Sequence, residues 1–137
     1  MQNEKRTSEG LRQYKEFLKE NERQCTFCLL KDNNEIAGKI KTEFKHFYII
    51  KNKFPYLTWE NREVIDHLLL IPKKHFIGMD EMDIEMQSEL IKIIAIYEKN
   101  KYSLYEKCLV KGIRTVPHWH MHLIKVKQVS INKTKSQ

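Results

Sequence analysis

The chain has 137 residues, 41% of them hydrophobic, a length that suits one compact domain of ~100–150 residues. No stretch approaches the ~20 apolar residues that cross a bilayer, and the N-terminus has no apolar signal-peptide core. We therefore expect a soluble, cytoplasmic protein that makes no membrane contact. Three cysteines, an odd number, argue against a closed disulfide framework and leave room for a metal-binding pair.

The net charge of +7 is concentrated in the C-terminal third of the chain. Residues 107–137 contain seven Lys or Arg and no Asp or Glu, whereas residues 1–106 contain 18 of each sign. Such a basic region attracts polyanions, which include nucleotides and nucleic acid, but short basic ends are also common as solvated tails. Charge alone leaves both interpretations open. We expect residues 127–137 to form a flexible basic tail.

Hydrophobic periodicity predicts two helices and four strands. In chain order, the predicted elements are a helix at 8–21, strands at 44–50 and 67–71, a helix at 83–99, and strands at 103–110 and 116–126. Pro72 ends the second strand because proline has no amide proton for a sheet ladder, and a turn is expected around Gly112. This order indicates an α+β fold with helices packed on a mainly antiparallel sheet.

Three histidines alternate with large apolar residues near the C-terminus, in the segment from His118 to His122. Side chains alternate faces along a strand, so His118, His120 and His122 are expected on one face while Trp119 and Met121 fill the core behind them. Grouped imidazoles suit metal binding or group transfer, because imidazole titrates near neutrality and is nucleophilic when neutral. For the run taken alone, a chance cluster on a solvent-facing strand is the alternative.

Residues 118–124 closely resemble the signature of the histidine triad (HIT) superfamily, three histidines that alternate with apolar residues. Residues 66–75, Asp-His-Leu-Leu-Leu-Ile-Pro-Lys-Lys-His, are similar to the second block of that family, and residues 52–56 are similar to its ribose-binding segment. The resemblance spans about three quarters of the chain. It implies a HIT-like fold, with an N-terminal helical extension in residues 1–22 and the HIT domain in residues 23–126.

The resemblance implies a nucleotide hydrolase or nucleotidyltransferase that acts at the α-phosphate of dinucleoside polyphosphates or nucleoside phosphoramidates. In this interpretation His120 is the nucleophile and forms a nucleotidyl-histidine, with its ring oriented by a backbone carbonyl near His118. His122 and Thr115 hold the phosphate. The residues expected at the nucleotide are Asn52, Lys53, Phe54 and His67. With an ordinary histidine pKa of ~6.5, activity is expected to fall on acidification through that value.

Cys25 and Cys28 resemble the N-terminal cysteine pair of the zinc-containing members. A Cys-x-x-Cys pair alone is a weak signal, because such pairs also occur as redox centres or as unliganded thiols. The zinc-containing members complete a four-ligand site with two histidines, and the matching residues here are His75 and His118. The resemblance therefore implies a structural zinc bound by these four residues. Cys108, in a predicted apolar strand, is given no role.

The chain departs from the family pattern on the side of the leaving group. Residues 59–63 lengthen the loop before the 66–75 block, and residues 111–116 lack the glycine-rich loop of nucleoside phosphoramidases. Substrate choice is therefore open. The alternatives are a nucleic-acid-end deadenylylase of the aprataxin type, favoured by the basic C-terminal third, and a non-catalytic zinc-stabilised module that binds nucleotides. The resemblance also implies a homodimer, formed through the second helix and the strand that follows it.

Overall fold

A computed structural model of the chain describes residues 6–20, 25–32, 37–110 and 113–130. The helices and strands are α1 (Ser8–Glu20), β1 (Ile40–Glu43), β2 (Phe47–Lys51), β3 (Thr58–Trp59), β4 (Arg62–Pro72), α2 (Ile84–Lys99), β5 (Ser103–Tyr105) and β6 (Met121–Ser130). The described strands form one sheet in the order β1-β2-β4-β6-β5, with β3 paired to β4. Every neighbouring pair among them is antiparallel. The predicted α+β class is confirmed.

The centre of the sheet is buried on both faces, because β2 and β4 are apolar at consecutive positions and successive side chains point to opposite faces. One core cluster packs against α2 and includes Phe47, Ile49, Leu68, Leu70, Trp119 and Leu123. The cluster on the other face includes Phe27, Leu30, Tyr48, Ile50, Leu69 and Ile71. This second face carries the candidate site, since His67 and His122 share the side-chain direction of Leu69.

The helix α2 begins and ends where the periodicity predicts. Asp83 caps its N-terminus and accepts a hydrogen bond from the backbone N–H of Met86 at 2.9 Å, which satisfies one of the free amides of the first turn. Its buried residues are Met86, Leu90, Ile93 and Tyr97, spaced to lie on one face. On the opposite face Ile84 is 76% exposed and Ile91 is 64% exposed.

The helix α1 forms as predicted but lies at the periphery. None of its residues is fully buried. It contacts the rest of the chain through Tyr14 and Phe17, whose rings lie 5.2 and 5.0 Å from the ring of Phe54 in the loop after β2. The helix is therefore positioned on the face of the sheet that carries the candidate site. Among the described helices, none is long and apolar enough to span a membrane.

The predicted loop before residue 62 is in fact a β-hairpin. β3 pairs with the start of β4, so that β4 begins five residues earlier than the predicted strand. The two turn residues, Glu60 and Asn61, have φ values of 54° and 60°. Positive φ at both central residues is typical of a type I′ turn, whose twist matches that of the flanking strands. The hairpin was not predicted because glutamate stands where glycine or asparagine usually marks such a turn.

The last two predicted strands need correction. β5 ends at Tyr105, because the chain beyond it is held by the Arg114 side chain, and Cys108 is exposed rather than in a buried strand. β6 begins at Met121 instead of residue 116, since the Trp119 N–H donates to the carbonyl of Phe76 rather than to a strand. β6 runs to Ser130, so residues 127–130 of the predicted tail are strand. Gly112 and residues 131–137 lie outside the described part of the chain, and the short strand β1 was not predicted.

Candidate functional site

His120 is oriented by the backbone just before β6. Its Nδ1–H donates to the carbonyl oxygen of His118 at 2.9 Å. Because a carbonyl only accepts hydrogen bonds, the proton of the neutral ring is on Nδ1 and the lone pair is on Nε2. The ring is 7% exposed and meets the edge of Phe27 at 5.0 Å. The predicted carbonyl that orients this ring is therefore present.

His122 and His67 form a hydrogen-bonded pair behind His120. The backbone N–H of Tyr56 donates to His67 Nδ1 at 3.0 Å, so the neutral His67 ring carries its proton on Nε2. That Nε2–H donates to His122 Nδ1 at 2.9 Å, which leaves the proton of His122 on Nε2. The buried His122 Nε2 has no hydrogen-bond partner among the described residues. The hydrogen bonds from Tyr56 to His67 and from His67 to His122 thus leave an N–H donor without a described partner on His122, next to His120.

Burial keeps these imidazoles neutral at physiological pH. Burial, together with the positive charges on Arg6 and Lys107, lowers the pKa of His67 to about 3. Burial also lowers the pKa of His120 to about 4, against the opposing effect of the hydrogen bond to the His118 carbonyl. The pKa of His122 is well below its ordinary value for the same first reason, burial. The ordinary value of ~6.5 assumed from the sequence therefore does not describe this site.

A cavity that is partly open to solvent lies in front of the histidines. Its apolar wall includes Phe27, Ala37 and Leu69, and its polar wall includes Asn52, Thr115, His120 and His122. Two cationic side chains, Arg6 and Lys107, also line it. An apolar slot that ends at neutral imidazoles and cations suits a ligand with a flat ring at one end and an anionic group at the other.

The residues predicted to bind the nucleotide are distributed unevenly around this cavity. Asn52 and Phe54 line it, and the Asn52 Oδ1 accepts a hydrogen bond from the backbone N–H of Phe54 at 2.9 Å. Lys53 does not line it; its ammonium lies over the ring of Phe17, 5.1 Å from the centroid. His67 does not line the cavity, but its Nε2 lies 2.9 Å from His122 Nδ1 and 3.3 Å from Asn52 Nδ2, and both of those residues do. Thr115 lines it, and its hydroxyl is hydrogen-bonded to that of Tyr14 at 2.5 Å.

Cys25, Cys28, His75 and His118 meet on the same face of the sheet, and their four donor atoms lie within 4.8 Å of one another. His118 Nδ1 is 3.3 Å from the Cys25 Sγ, and His75 Nδ1 is 3.2 Å from the Cys28 Sγ. Tetrahedral zinc–sulfur and zinc–nitrogen bonds place such atoms about 3.6 Å apart. The four residues therefore have the chemistry and the spacing to hold a metal ion.

The second ring nitrogen of His118 supports this arrangement. His118 Nε2–H donates to the carbonyl of Pro72 at 2.9 Å, which leaves the Nδ1 lone pair directed at the two thiols. A backbone carbonyl on the far nitrogen is the usual way in which a metal-binding histidine is oriented. Burial and the neighbouring Cys25 raise the pKa of Cys28 to about 11. A bound cation would favour the thiolate and oppose that shift.

Comparison with known proteins identifies the family. The model of the HIT domain family matches residues 33–129, most of the chain. The chain belongs to the HIT family. An uncharacterized HIT-like protein of Chlamydia muridarum is 33% identical over 90 residues, a match that covers 60% of this chain and 66% of the relative, just under two thirds of its length.

Two solved structures share the fold of this HIT domain. A HIT family hydrolase from Clostridium thermocellum is 25% identical with a TM-score of 0.57, over 82% of this chain and 96% of that one. A hypothetical histidine triad nucleotide-binding protein from Sulfolobus tokodaii is also 25% identical, with a TM-score of 0.59 over 82% of this chain and 77% of that one. The predicted family and its fold are confirmed.

Arg114 has a buried side chain whose role in this HIT domain sequence reasoning missed. Its side chain is 4% exposed and pairs with the Glu106 carboxylate at 2.7 Å. Its guanidinium also donates to the backbone carbonyls of Lys107, Ile77 and Pro117. It therefore joins the segment after β5, the loop before α2 and the residue before His118. No local pattern signals this role, because the partners are set by the tertiary fold.

Tyr105 is a second residue that the sequence analysis passed over. Its ring stacks on His122 with centroids 4.6 Å apart and 16° between the planes, and it also stacks on Trp59 with centroids 4.7 Å apart. Tyr105 is opposite His122 in the β5–β6 register. Strand alternation and an antiparallel register would have found it, but only if the end of β5 had been predicted correctly.

Proposed function

We propose that this HIT domain is a nucleotide hydrolase or nucleotidyltransferase that acts at the α-phosphate, with His120 as the nucleophile. The single observation that supports this role most directly is the hydrogen bond from His120 Nδ1 to the His118 carbonyl, since it leaves the Nε2 lone pair free on a buried ring that lines the cavity. The solved HIT family hydrolase with 25% identity adds support for hydrolysis as the reaction type.

In the proposed first step, His120 Nε2 attacks the α-phosphorus of a nucleotide whose base lies in the apolar part of the cavity. The new bond joins nitrogen to phosphorus, and the bond from phosphorus to the leaving group breaks with its electron pair leaving on that group. The Nε2–H of His122 and the hydroxyl of Thr115 stabilise the negative charge on the phosphoryl oxygens. Lys107 adds a positive charge on the same wall.

In the second step, water attacks the nucleotidyl-histidine and breaks the phosphorus–nitrogen bond. The electron pair returns to His120 Nε2, the water gives up one proton to solvent, and the products are a nucleoside monophosphate and the regenerated neutral imidazole. Another acceptor hydroxyl in place of water gives a nucleotidyl transfer instead of a hydrolysis. Because burial keeps His120 neutral, the ring is in its nucleophilic form at physiological pH.

We also propose that the ion held by Cys25, Cys28, His75 and His118 is zinc. Two thiolates and two imidazoles form the ligand set that structural zinc prefers, and all four coordination positions are filled by protein. Zinc in such a closed site stabilises the fold and takes no part in the reaction. The site joins the N-terminal loop to the end of β4 and to the chain entering β6.

A covalent-trapping experiment tests the role of His120. We expect wild-type protein, incubated with an adenylate donor labelled at the α-phosphate, to carry the label on the peptide that contains His120. The variant His120→Asn should lose several orders of magnitude of turnover but keep most of its nucleotide affinity, because the cavity walls remain. His46→Asn, a histidine outside the cavity, is the matched control. Comparable turnover in His120→Asn contradicts the proposal, and binding without turnover in the wild type favours a non-catalytic nucleotide-binding module.

A further inference from the structure

The N-terminal segment contributes side chains to the site although it lies outside the residues matched by the HIT domain model. That match begins at residue 33, whereas Arg6 and the helix α1 precede it. Arg6, Tyr14 and Phe17 all line the cavity in front of His120. An added segment that faces the reaction centre, rather than the outside of the domain, is placed to affect which substrates the site accepts.

Arg6 is held in a defined position next to the catalytic histidines. Its Nε donates to the carbonyl of Phe54 at 3.0 Å. Its guanidinium lies over the rings of Tyr14 and Tyr56, 4.3 and 4.8 Å from their centroids. Tyr56 in turn stacks with His122, with centroids 5.8 Å apart. The positive charge is therefore one ring away from the donor that faces the phosphate, and it contributes to the lowered pKa of His122.

A second cavity shares part of its lining with the first. It is partly open to solvent, and its lining includes Thr7, Gln13, Lys53 and Pro55. Arg6 and Phe54 line both cavities. A substrate whose nucleotide half occupies the first cavity and whose leaving group extends into the second would contact residues that line both, and Arg6 is the charged one of these. Lys53 adds a further cation along that route.

We propose that Arg6 binds a phosphate of the leaving group, so that the N-terminal segment selects substrates in which the α-phosphate is joined to a further phosphate. A guanidinium donates paired hydrogen bonds to phosphate oxygens and has no comparable interaction with an amine leaving group. The inference rests on the proposed function and specifies its substrate class. In the reaction, the bond between the α-phosphorus and the bridging oxygen breaks, and the leaving phosphate keeps the electron pair next to Arg6.

Turnover of two substrates by three proteins tests the inference. The substrates are diadenosine triphosphate and adenosine 5′-phosphoromorpholidate, which share the adenylate group and differ in the charge of the leaving group. The proteins are the wild type, Arg6→Gln and the control Arg12→Gln. Arg12 lies on α1, which begins after Arg6, and its guanidinium pairs with Glu9 and Glu16 and lines neither cavity. The control removes one positive charge from the N-terminal segment without changing a residue that lines either cavity.

We expect Arg6→Gln to lower kcat/KM for the triphosphate by roughly 10- to 100-fold, the usual effect of a lost hydrogen bond to a charged group, and for the phosphoromorpholidate by less than about threefold. Arg12→Gln should match the wild type on both. Equal losses on both substrates for Arg6→Gln would show that Arg6 only supports the fold of the site, and no loss on either would show that it is irrelevant; both results overturn the inference.

Equilibrium binding separates this inference from the proposed function, because it does not require turnover. We expect the wild type to bind ADP more tightly than AMP, and Arg6→Gln to lose that difference through about a tenfold rise in the Kd for ADP alone. If the wild type turns over neither substrate but shows this pattern, the proposed function fails and the role of Arg6 stands. If AMP and ADP bind equally to all three proteins, the role of Arg6 is rejected whatever the turnover.

Discussion

His67 lies in an apolar strand, yet its hydrogen bonds determine the protonation pattern of the candidate site. Its proton is fixed on Nε2 by the backbone N–H of Tyr56, and it fixes the proton of His122 in turn. As a consequence, His122 Nε2–H is a hydrogen-bond donor although both rings are uncharged. Burial of both rings makes protonation of the folded protein unfavourable, so the hydrogen-bond pattern persists well below the pH at which a solvated histidine titrates.

The lowered pKa of His67 has a measurable effect on stability. In the unfolded chain this histidine takes up a proton near pH 6.5, whereas in the folded protein it does so only near pH 3. The unfolded state therefore binds more protons between these values, so the stabilising contribution is present above pH 6.5 and is lost as the pH falls. We expect the wild type to lose unfolding free energy steadily from pH 6.5 downwards.

The variant His67→Gln isolates this contribution. Its unfolding free energy at pH 7 should be lower than that of the wild type, since the bond to His122 is changed. Between pH 6 and pH 4 its unfolding free energy should fall less steeply than that of the wild type. The difference in slope corresponds to the uptake of up to one proton on unfolding, about 1.4 kcal/mol per pH unit. Urea unfolding at several pH values measures both slopes. Parallel curves for the two proteins would contradict the assignment of a lowered pKa to His67.

At the scale of elements, the Arg114 side chain holds residues between β5 and β6 that are not paired in the sheet. Three backbone carbonyls from separate segments, and the Glu106 carboxylate, accept from one buried guanidinium. The residues it fixes include Lys107, on the cavity wall, and Pro117, next to His118. Stability and site geometry are therefore coupled through this side chain.

We expect Arg114→Ala to lower the unfolding free energy by about 3–5 kcal/mol, because its loss leaves Glu106 and several partly buried carbonyls without a partner. Arg114→Lys should recover less than half of that loss, since an ammonium cannot reproduce the planar fork. Urea unfolding gives both values, with the exposed Arg12→Ala as the control. A change in unfolding free energy below about 1 kcal/mol in Arg114→Ala, typical of a surface ion pair, would show that the contacts of Arg114 contribute little to stability.

The cluster of Cys25, Cys28, His75 and His118 also joins segments that are distant in the chain. We expect wild-type protein purified without chelator to contain one zinc per chain, and the double variant Cys25→Ser/Cys28→Ser to contain none and to melt at a lower temperature, since metal binding contributes to folding free energy. Elemental analysis and thermal unfolding measure the two effects. Cys108→Ser, at the exposed third cysteine, is the control and should retain the metal. Metal content that is unchanged in the double variant would rule out this site.

At the scale of the whole molecule, the outer face of α2 and the neighbouring edge of the sheet have no described partner within the chain. Ile84 and Ile91 are two turns apart on that face, and β5 is the last strand of the described sheet on the same side. An exposed apolar helix face next to an open strand edge is typical of a subunit interface. We propose that two copies associate through this surface.

Light scattering after gel filtration tests the assembly. We expect a dimer for the wild type and a monomer for Ile91→Glu, because the carboxylate would be buried at the interface. Leu109→Glu is the control, since Leu109 is comparably exposed in the loop after β5, at 62%. A monomeric wild type rejects the proposal. So does a dimer whose stability is unaffected by Ile91→Glu.

Local patterns in the sequence determine much of this protein. The helical period places α2 correctly, and the alternation from His118 to His122 correctly puts Trp119 in the core under α2 and the histidines on the other face, although β6 itself begins only at Met121. The resemblance to the HIT family predicts that four residues share one metal site, and in the structure the donor atoms of these four residues lie close together. These features are readable because each depends on the spacing of residues within one segment or on a known motif.

Tertiary structure alone decides the features that depend on distant residues. The hydroxyls of Tyr14 and Thr115 are 101 residues apart in the chain, and Arg6 and Phe54 are 48 apart, so no local period reports either contact. The same holds for the buried partners of Arg114. The charge of Arg6 could be read from the sequence, but its place beside His122 could not, because that place is set by how α1 packs on the loop after β2.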